Sequence, residues 1–396
     1  MVRDSERIAR IHRTLKAHKL DALVCSLPSN VRLTSGYWPV IGNAIAVATR
    51  DGIVAVLAPH DETEFATSGW ADVLRFFSSG SLHRITNAVD AVRPHIAELF
   101  SSAGLPPTAR VGIEGASFDP SVYAAGFSYG ASLPALLSCA LPQLEVVDAT
   151  DVLAHLRSTL TSREIASVRE ACAIARSAFE YTAQQVHVGM REYELADILR
   201  TRLRVPDRSR ADGFVYCMSG PNGGQAHASF QRSTGRAVAE GELLLLHCNS
   251  CCAGMWTDIT RTFSLGSPPR QIRARLDAIF RARHDAIDAV SAGVSASAVD
   301  LAARTALTRA GFESEFRHPA GHGVGFAAID HNAVPRLHPH SSDVLETGMV
   351  FNVEPALYEP GAFGIRHCDM VAVGPDGAEL LTGFQQSPED LLLPVQ

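Results

Sequence analysis

The sequence predicts an α+β fold in two domains, an N-terminal α/β unit over 1–155 and a C-terminal half over 156–396 built from duplicated helix–strand units. Three observations carry this prediction. The 396 residues are enough for two or three separate cores. Short apolar runs of strand and helix periodicity alternate through the first 155 residues. In the second half, two long helical stripes each run through a glycine into a second helical pattern and then into strands. The two glycines, Gly189 and Gly293, lie 104 residues apart.

Composition narrows the function classes. Apolar residues make up 46% and charged residues 19%, which is ordinary for a globular chain. A net charge of −7 supplies no electrostatic reason to bind nucleic acid or an anionic membrane. No apolar run approaches the roughly 20 residues that span a bilayer. The first twenty residues are charged throughout, without the apolar centre of a signal peptide, so a cytoplasmic enzyme is the expectation. The eight cysteines lack the density of a disulfide scaffold and read as reduced, mostly buried side chains.

In the N-terminal unit, Ile8, Ile11 and Leu15 fall on one helical face ahead of a strand at 21–27. Segments 44–49 and 53–57 flank Arg50-Asp51-Gly52, a hairpin signal because glycine accepts the left-handed turn conformation. Further short strands are expected at 111–114 and 146–147. No catalytic spacing of His, Asp, Glu or Cys occurs here, so this half reads as a scaffold or lid.

The C-terminal half opens on Thr161 and Glu164 at capping-box spacing, followed by a stripe of Ile165, Val168, Cys172, Ala175 and Phe179. A second helix follows Pro268-Pro269, with Ile272, Leu276, Ile279, Phe280, Ile287 and Val290 on its buried face. A strand is expected at 214–219, then a strand pair at 243–251 and 254–265. Strands at 349–355 and 364–373 come last, the latter turning at Asp376-Gly377 into 379–382.

Five segments concentrate histidine and acidic residues. Ser219-Gly-Pro-Asn222 leads to His227; the strand pair carries His247 and Asp258; His318 and His322 lie in a glycine-rich turn; Glu354 ends one strand and Cys368 lies on the last. Side chains alternate along a strand, so Asp258, Thr260 and Thr262 share one face, as do Asn352 and Glu354, and Arg366 and Cys368. A sheet aiming Asp258, Glu354 and Cys368 at one spot, with His322 brought in by its turn, suits a divalent transition metal better than Mg or Ca. His338, His340 and His367 are read as structural or surface residues. The Cys248/Cys251 pair is read as core packing, because no second CxxC accompanies it.

Taken in order, the motifs SGPN…H, TDITRTF, HxxGHGVG, MVFNVEP and Leu381-Thr-Gly-Phe384 resemble the pita-bread metallopeptidase family of methionine aminopeptidases, prolidases, Xaa-Pro aminopeptidases and creatinases. The N-terminal domain, with Asn30 to Gly36 similar to a recurrent loop, looks like the prolidase/aminopeptidase P/creatinase branch. The resemblance implies a creatinase-like N-terminal domain, a pita-bread catalytic domain and a homodimer. It also implies two metals held by two Asp, one His and two Glu. Asp258, His322 and Glu354 match three of those ligands; His247 stands at the first Asp, eleven residues before Asp258, and Cys368 at the last Glu. The altered set implies one tightly held ion, Zn or Fe ahead of Mn. By the same resemblance His227, His331 and Glu354 are catalytic, His318 lies near the substrate, and Arg366 orients a carboxylate.

The expected activity is therefore metal-dependent hydrolysis of a C–N bond in a short peptide or small amide, similar to Xaa-Pro peptidases. A metal-free creatinase- or ectoine-hydrolase-like hydrolase using His227 and Glu354 is the alternative. A non-catalytic pita-bread binding module is the third reading.

Overall fold

Burial on both faces organises the N-terminal unit. The strands β1 (Ala22–Cys25), β2 (Ile45–Thr49) and β3 (Val54–Pro59) are buried along their whole length, as strands covered on both sides must be. The computed structural model describes residues 2–39, 44–78, 88–114, 132–205, 214–226, 232–330 and 333–395. It forms two compact units, 1–157 and 158–396.

In the first unit β4 (Val73–Phe77), β5 (Arg110–Ile113) and β6 (Glu145–Asp148) complete a mixed sheet of order β4-β3-β2-β1-β5-β6. The expected hairpin is β2–β3, antiparallel, with Gly52 at φ 87°. The first helix, α1 (Ser5–Ala17), is capped by Asp4, whose side chain accepts from the Arg7 amide, and buries Ile11 and Leu15. Five further helices belong to this unit: α2 (Pro28–Ser35), α3 (Thr63–Thr67), α4 (Ala88–Ser102), α5 (Ser132–Ala140) and α6 (Thr150–Ser158). Ile96 and Leu99 of α4 and Leu137 of α5 pack with Val24, Val47 and Leu57 in one core.

In the second unit, the capping box at Thr161 and Glu164 is formed, and it opens α7 (Ser162–Gln185). Then come α8 (Glu192–Leu203), α9 (Arg270–Asp288) and α10 (Ala296–Arg309). Gly189 and Gly293 precede α8 and α10 at φ 91° and 88°, so both copies use glycine for the same left-handed turn. Leu276 and Ile279 of α9 and Val299 and Leu307 of α10 share a core with Leu245, Phe351 and Val371.

The strands of this unit are β7 (Val215–Ser219), β8 (Leu243–Cys248), β9 (Cys251–Cys252), β10 (Met255–Trp256) and β11 (Ile259–Leu265). They continue through β12 (Gly321–His322), β13 (Arg336–Leu337), β14 (Val350–Val353), β15 (Ala356–Glu359), β16 (Phe363–Arg366), β17 (Asp369–Gly374), β18 (Gly377–Leu380) and β19 (Leu392–Leu393). One sheet has order β19-β11-β8-β7, another β14-β17-β18, and β12–β13 and β15–β16 are pairs. The expected strand pair at 243–251 and 254–265 is real but broken in the middle. The Asn249 side chain donates to the Thr257 carbonyl at 3.1 Å, and the Ser250 and Thr257 hydroxyls lie 2.6 Å apart. These side-chain bonds accompany a single backbone bond there, from the Thr257 amide to the Ser250 carbonyl at 2.9 Å, and Asp258 lies just ahead of β11.

No helix among the described residues is long and apolar enough to cross a membrane. No disulfide joins the described cysteines.

Candidate functional site

Register on β8 and β11 sets the floor of the site. His247 pairs with both Tyr216 and Thr260, so these three side chains lie side by side across β7, β8 and β11. An isolated bridge between Thr260 and Cys368 brings the β16–β17 junction over the same place. Asp258, Glu354 and Cys368 each present a donor atom within 4.8 Å of the others, and all three are buried. The Nε2 atom of His322 is 3.5 Å from Asp258 Oδ2 and 3.8 Å from Glu354 Oε1. Four of the five residues expected as ligands therefore converge.

His247, the fifth, lies beside this cluster with both ring nitrogens engaged elsewhere. Its Nδ1 is 2.9 Å from Thr260 Oγ1 and 3.2 Å from an Arg366 nitrogen, and its Nε2 is 3.2 Å from Asn249 Oδ1. Asp258 Oδ1 is further away, at 3.8 Å. Because the guanidinium can only donate, Nδ1 accepts from it and Nε2–H donates to Asn249. The ring also stacks on Tyr216 with centroids 4.6 Å apart.

The Arg366 side chain is almost wholly buried. It donates to Thr260 Oγ1 at 2.9 Å and to the Tyr216 hydroxyl at 2.5 Å. Burial lowers its pKa, but Tyr216, Tyr358, Glu354 and Asp258 more than offset that and hold it above the usual arginine range. These side-chain hydrogen bonds go to a hydroxyl, a phenol and an imidazole, and the two acids meet the guanidinium through charge. His318 is half-buried; its Nε2 is 3.1 Å from the Tyr358 hydroxyl and its Nδ1 2.8 Å from the Pro319 carbonyl. His227 and His331, the other two residues expected to face substrate, lie outside the described residues.

Electrostatics separate the two carboxylates. Burial pushes the Asp258 carboxyl up, but His247, His322 and Arg366 overcome it and hold the group below the usual carboxylate range. Glu354 goes the other way: burial raises it and the Asp258 charge adds to that, with His322 and Arg366 opposing. Two acids in one pocket are therefore driven apart, the arrangement that separates acid from base roles. Burial lowers the His322 pKa, but Asp258 and Glu354 more than compensate and raise it. For His247 burial dominates and, with Arg366, brings it down to about 4 against the pull of Asp258, so it is neutral at pH 7. The Cys368 thiol is pushed well up by burial and by both acids. It donates to the Asp258 carbonyl at 3.1 Å.

Asn352 ties the cluster together. Its Oδ1 accepts from the His322 amide at 2.7 Å, while its Nδ2 donates to His322 Nε2 at 3.1 Å and reaches Cys368 Sγ at 3.5 Å. Tyr216, Tyr358, Asn249 and Asn352 are members of the site that sequence reading missed as functional groups. The one available signal was that Asn352 shares a strand face with Glu354.

The segment 166–375 matches the model for metallopeptidase family M24, and 7–159 matches the creatinase/prolidase N-terminal domain. A probable dipeptidase PepE of Mycobacterium tuberculosis is 33% identical over 267 residues, 66% of this chain and 68% of its own length. The Xaa-Pro dipeptidase of Pyrococcus furiosus is 26% identical over 379 residues, 95% of this chain and 97% of that protein. Among solved structures, the dipeptidase PepE of Mycobacterium ulcerans superimposes with a TM-score of 0.75 at 25% identity, covering 99% of this chain and 98% of that one. Members of this family typically depend on divalent metals. The α+β fold expected above, a creatinase-like domain followed by a pita-bread domain, is the one these relatives share, and the chain belongs to metallopeptidase family M24.

Proposed function

We propose that the chain hydrolyses the C–N bond of a short peptide or small amide, with a single divalent ion held by Asp258, His322, Glu354 and Cys368. The observation that carries this reading is the convergence of two carboxylates, an imidazole and a thiol within a few ångströms. The donors fit one ion by chemistry, since mixed O, N and S ligands suit Zn or Fe ahead of Mn. They fit by charge as well: Asp258, Glu354 and a metal-bound Cys368 thiolate, offset by Arg366, leave two negative charges for one divalent cation. A second divalent ion would leave the buried site strongly positive. His247, with Nδ1 accepting from Arg366, is read as a support for that guanidinium and not as a ligand.

Held by Asp258, His322, Glu354 and Cys368, such an ion would supply Lewis-acid polarisation of the scissile carbonyl and a lowered pKa for a water. Glu354 would take the proton of the attacking water on a carboxylate oxygen and pass it to the leaving nitrogen. Asp258 stays ionised throughout. Arg366 offsets the carboxylate charge, held by Tyr216, Thr260 and His247. His227, His331 and His318 are assigned to the substrate side. The names of the relatives point to dipeptides, those ending in proline among them, as the first substrates to try.

One observation supports a second reading. Two of the four donors are also hydrogen-bonded within the protein, the Cys368 thiol to the Asp258 carbonyl and His322 Nε2 to the Asn352 amide. A metal-free creatinase-like hydrolase would then rely on His227 and Glu354. Elemental analysis separates the two: one equivalent of a transition metal is expected, and none after Zn²⁺ is supplied would leave the metal-free reading.

A further inference from the structure

We propose that Asp300 and Arg304, on α10, are positioning residues that hold His322 and Glu354 through a single peptide, Ala320. Asp300 is fully buried, and its Oδ1 accepts from the Ala320 amide at 2.8 Å. Arg304 grips both oxygens of that carboxylate, at 2.6 and 3.1 Å, and reaches past it to donate to the His318 carbonyl at 2.7 Å. Its guanidinium also lies over the Phe316 ring, 4.4 Å from the centroid. The stretch from Phe316 to Ala320 is thus held at three points by one ion pair.

Ala320 passes that placement on in both directions. Its carbonyl accepts from the Glu354 amide at 2.8 Å. On its other side Gly321 approaches β14 so closely that a Cβ would meet the Asn352 carbonyl oxygen at 1.9 Å. The next residue is His322, whose amide donates to Asn352 Oδ1. Two of the four proposed ligands are therefore one peptide away from the Asp300 contact. The Ala320 amide also lies 2.9 Å from the Leu337 carbonyl, so losing Asp300 leaves it a second acceptor. That second bond keeps the segment attached to β13 when the Asp300 contact is lost. An ordinary stabilising ion pair on a helix would show none of this dependence at the site.

The metal readout of this inference rests on the single-ion reading, so the experiment has two arms. In the full-length protein, Asp300→Asn is expected to weaken Zn²⁺ affinity by about tenfold or more, the usual cost of disturbing the groups that orient ligands. Arg304→Lys, which keeps a cation beside Asp300, retains most of the parent's affinity. Leu307→Ala, a buried cavity on the same helix, lowers stability while leaving Zn²⁺ affinity near that of the parent. Affinity is read by competition with a chromophoric chelator. In the second arm, hydrogen exchange of the metal-free proteins should show protection lost across 316–324 in Asp300→Asn and kept in Leu307→Ala. If the parent takes up no Zn²⁺, the ion reading falls and the exchange arm alone decides. Equal effects of Asp300→Asn and Leu307→Ala, in either arm, overturn the positioning role.

Discussion

Replacing Arg366 with methionine removes a buried cation from beside two carboxylates while keeping a side chain of comparable length. Three acceptors lose their donor, Thr260 Oγ1, the Tyr216 hydroxyl and His247 Nδ1, and Asp258 and Glu354 lose a compensating charge. Leaving a buried charge uncompensated costs about 3–5 kcal/mol. At about 2–4 °C per kcal/mol for a domain of this size, the metal-free variant should melt roughly 6–20 °C lower. The effect on an ion has the opposite sign. A guanidinium repels a divalent cation placed among these donors, so its removal tightens binding. Each tenfold gain in affinity adds about 1.4 kcal/mol at saturating ligand, or roughly 3–6 °C of extra protection. Calorimetric melts of chelator-treated and Zn²⁺-saturated protein measure both effects. An unchanged metal-free melt would refute the buried-charge account. A Zn²⁺-induced rise smaller than the parent's would show that Arg366 orients ligands and does not oppose the ion.

Three further outcomes are expected. Cys368→Ser should weaken Zn²⁺ binding by about tenfold or more and abolish the near-ultraviolet sulfur-to-metal absorbance of the Co²⁺ form, whereas Cys368→Glu should shift preference toward Mn²⁺; a Cys368→Ser protein with unaltered Co²⁺ spectrum would remove the thiol from the ligand set. Glu192→Ala strips a buried acceptor from the Ser219 and Thr234 amides and hydroxyls and from Asn222. At roughly 1–3 kcal/mol per unsatisfied buried donor, urea unfolding should register a loss of about 3 kcal/mol or more, with Glu192→Gln intermediate because its NH2 would face either the Ser219 or the Thr234 backbone N–H.

The third concerns Glu114, whose carboxyl burial raises above the ordinary glutamate range although Ser26, Leu27 and Asn30 donate to it. A raised acid favours the folded state while protonated, so this contribution is complete below about pH 4.3 and is lost as pH climbs through the folded value. Glu114→Gln should flatten that part of the stability profile; an identical pH slope in parent and variant counts against it.

Much of the scaffold is legible from neighbouring residues, because local physics writes it. Thr161 and Glu164 satisfy each other's backbone across three residues, Gly52 supplies a turn between β2 and β3, and Gly189 and Gly293 mark the repeated approach to α8 and α10. Less visible were α2, which opens on Pro28 and makes most of the stretch likened to a loop helical, and α4, which continues through Pro94. The interrupted strand pair around Asp258 was also hidden, since it depends on which side chains of Asn249, Ser250 and Thr257 find each other across the hairpin.

By itself the sequence determined the family pattern and the two altered positions His247 and Cys368, whereas the strands expected to carry Asp258 and Glu354 stop one residue short of each, at Ile259 and Val353. Tertiary structure alone decided what those positions do. His247 takes Arg366 from 119 residues away as its donor, Cys368 bonds to Asp258 from 110 residues away, and Tyr216 reaches Arg366 across 150. The physical reason lies in competition: a buried imidazole or thiol takes whichever donor or acceptor the register of β7, β8, β11 and β16 brings within about 3 Å, and side-chain spacing along the chain carries no record of that choice.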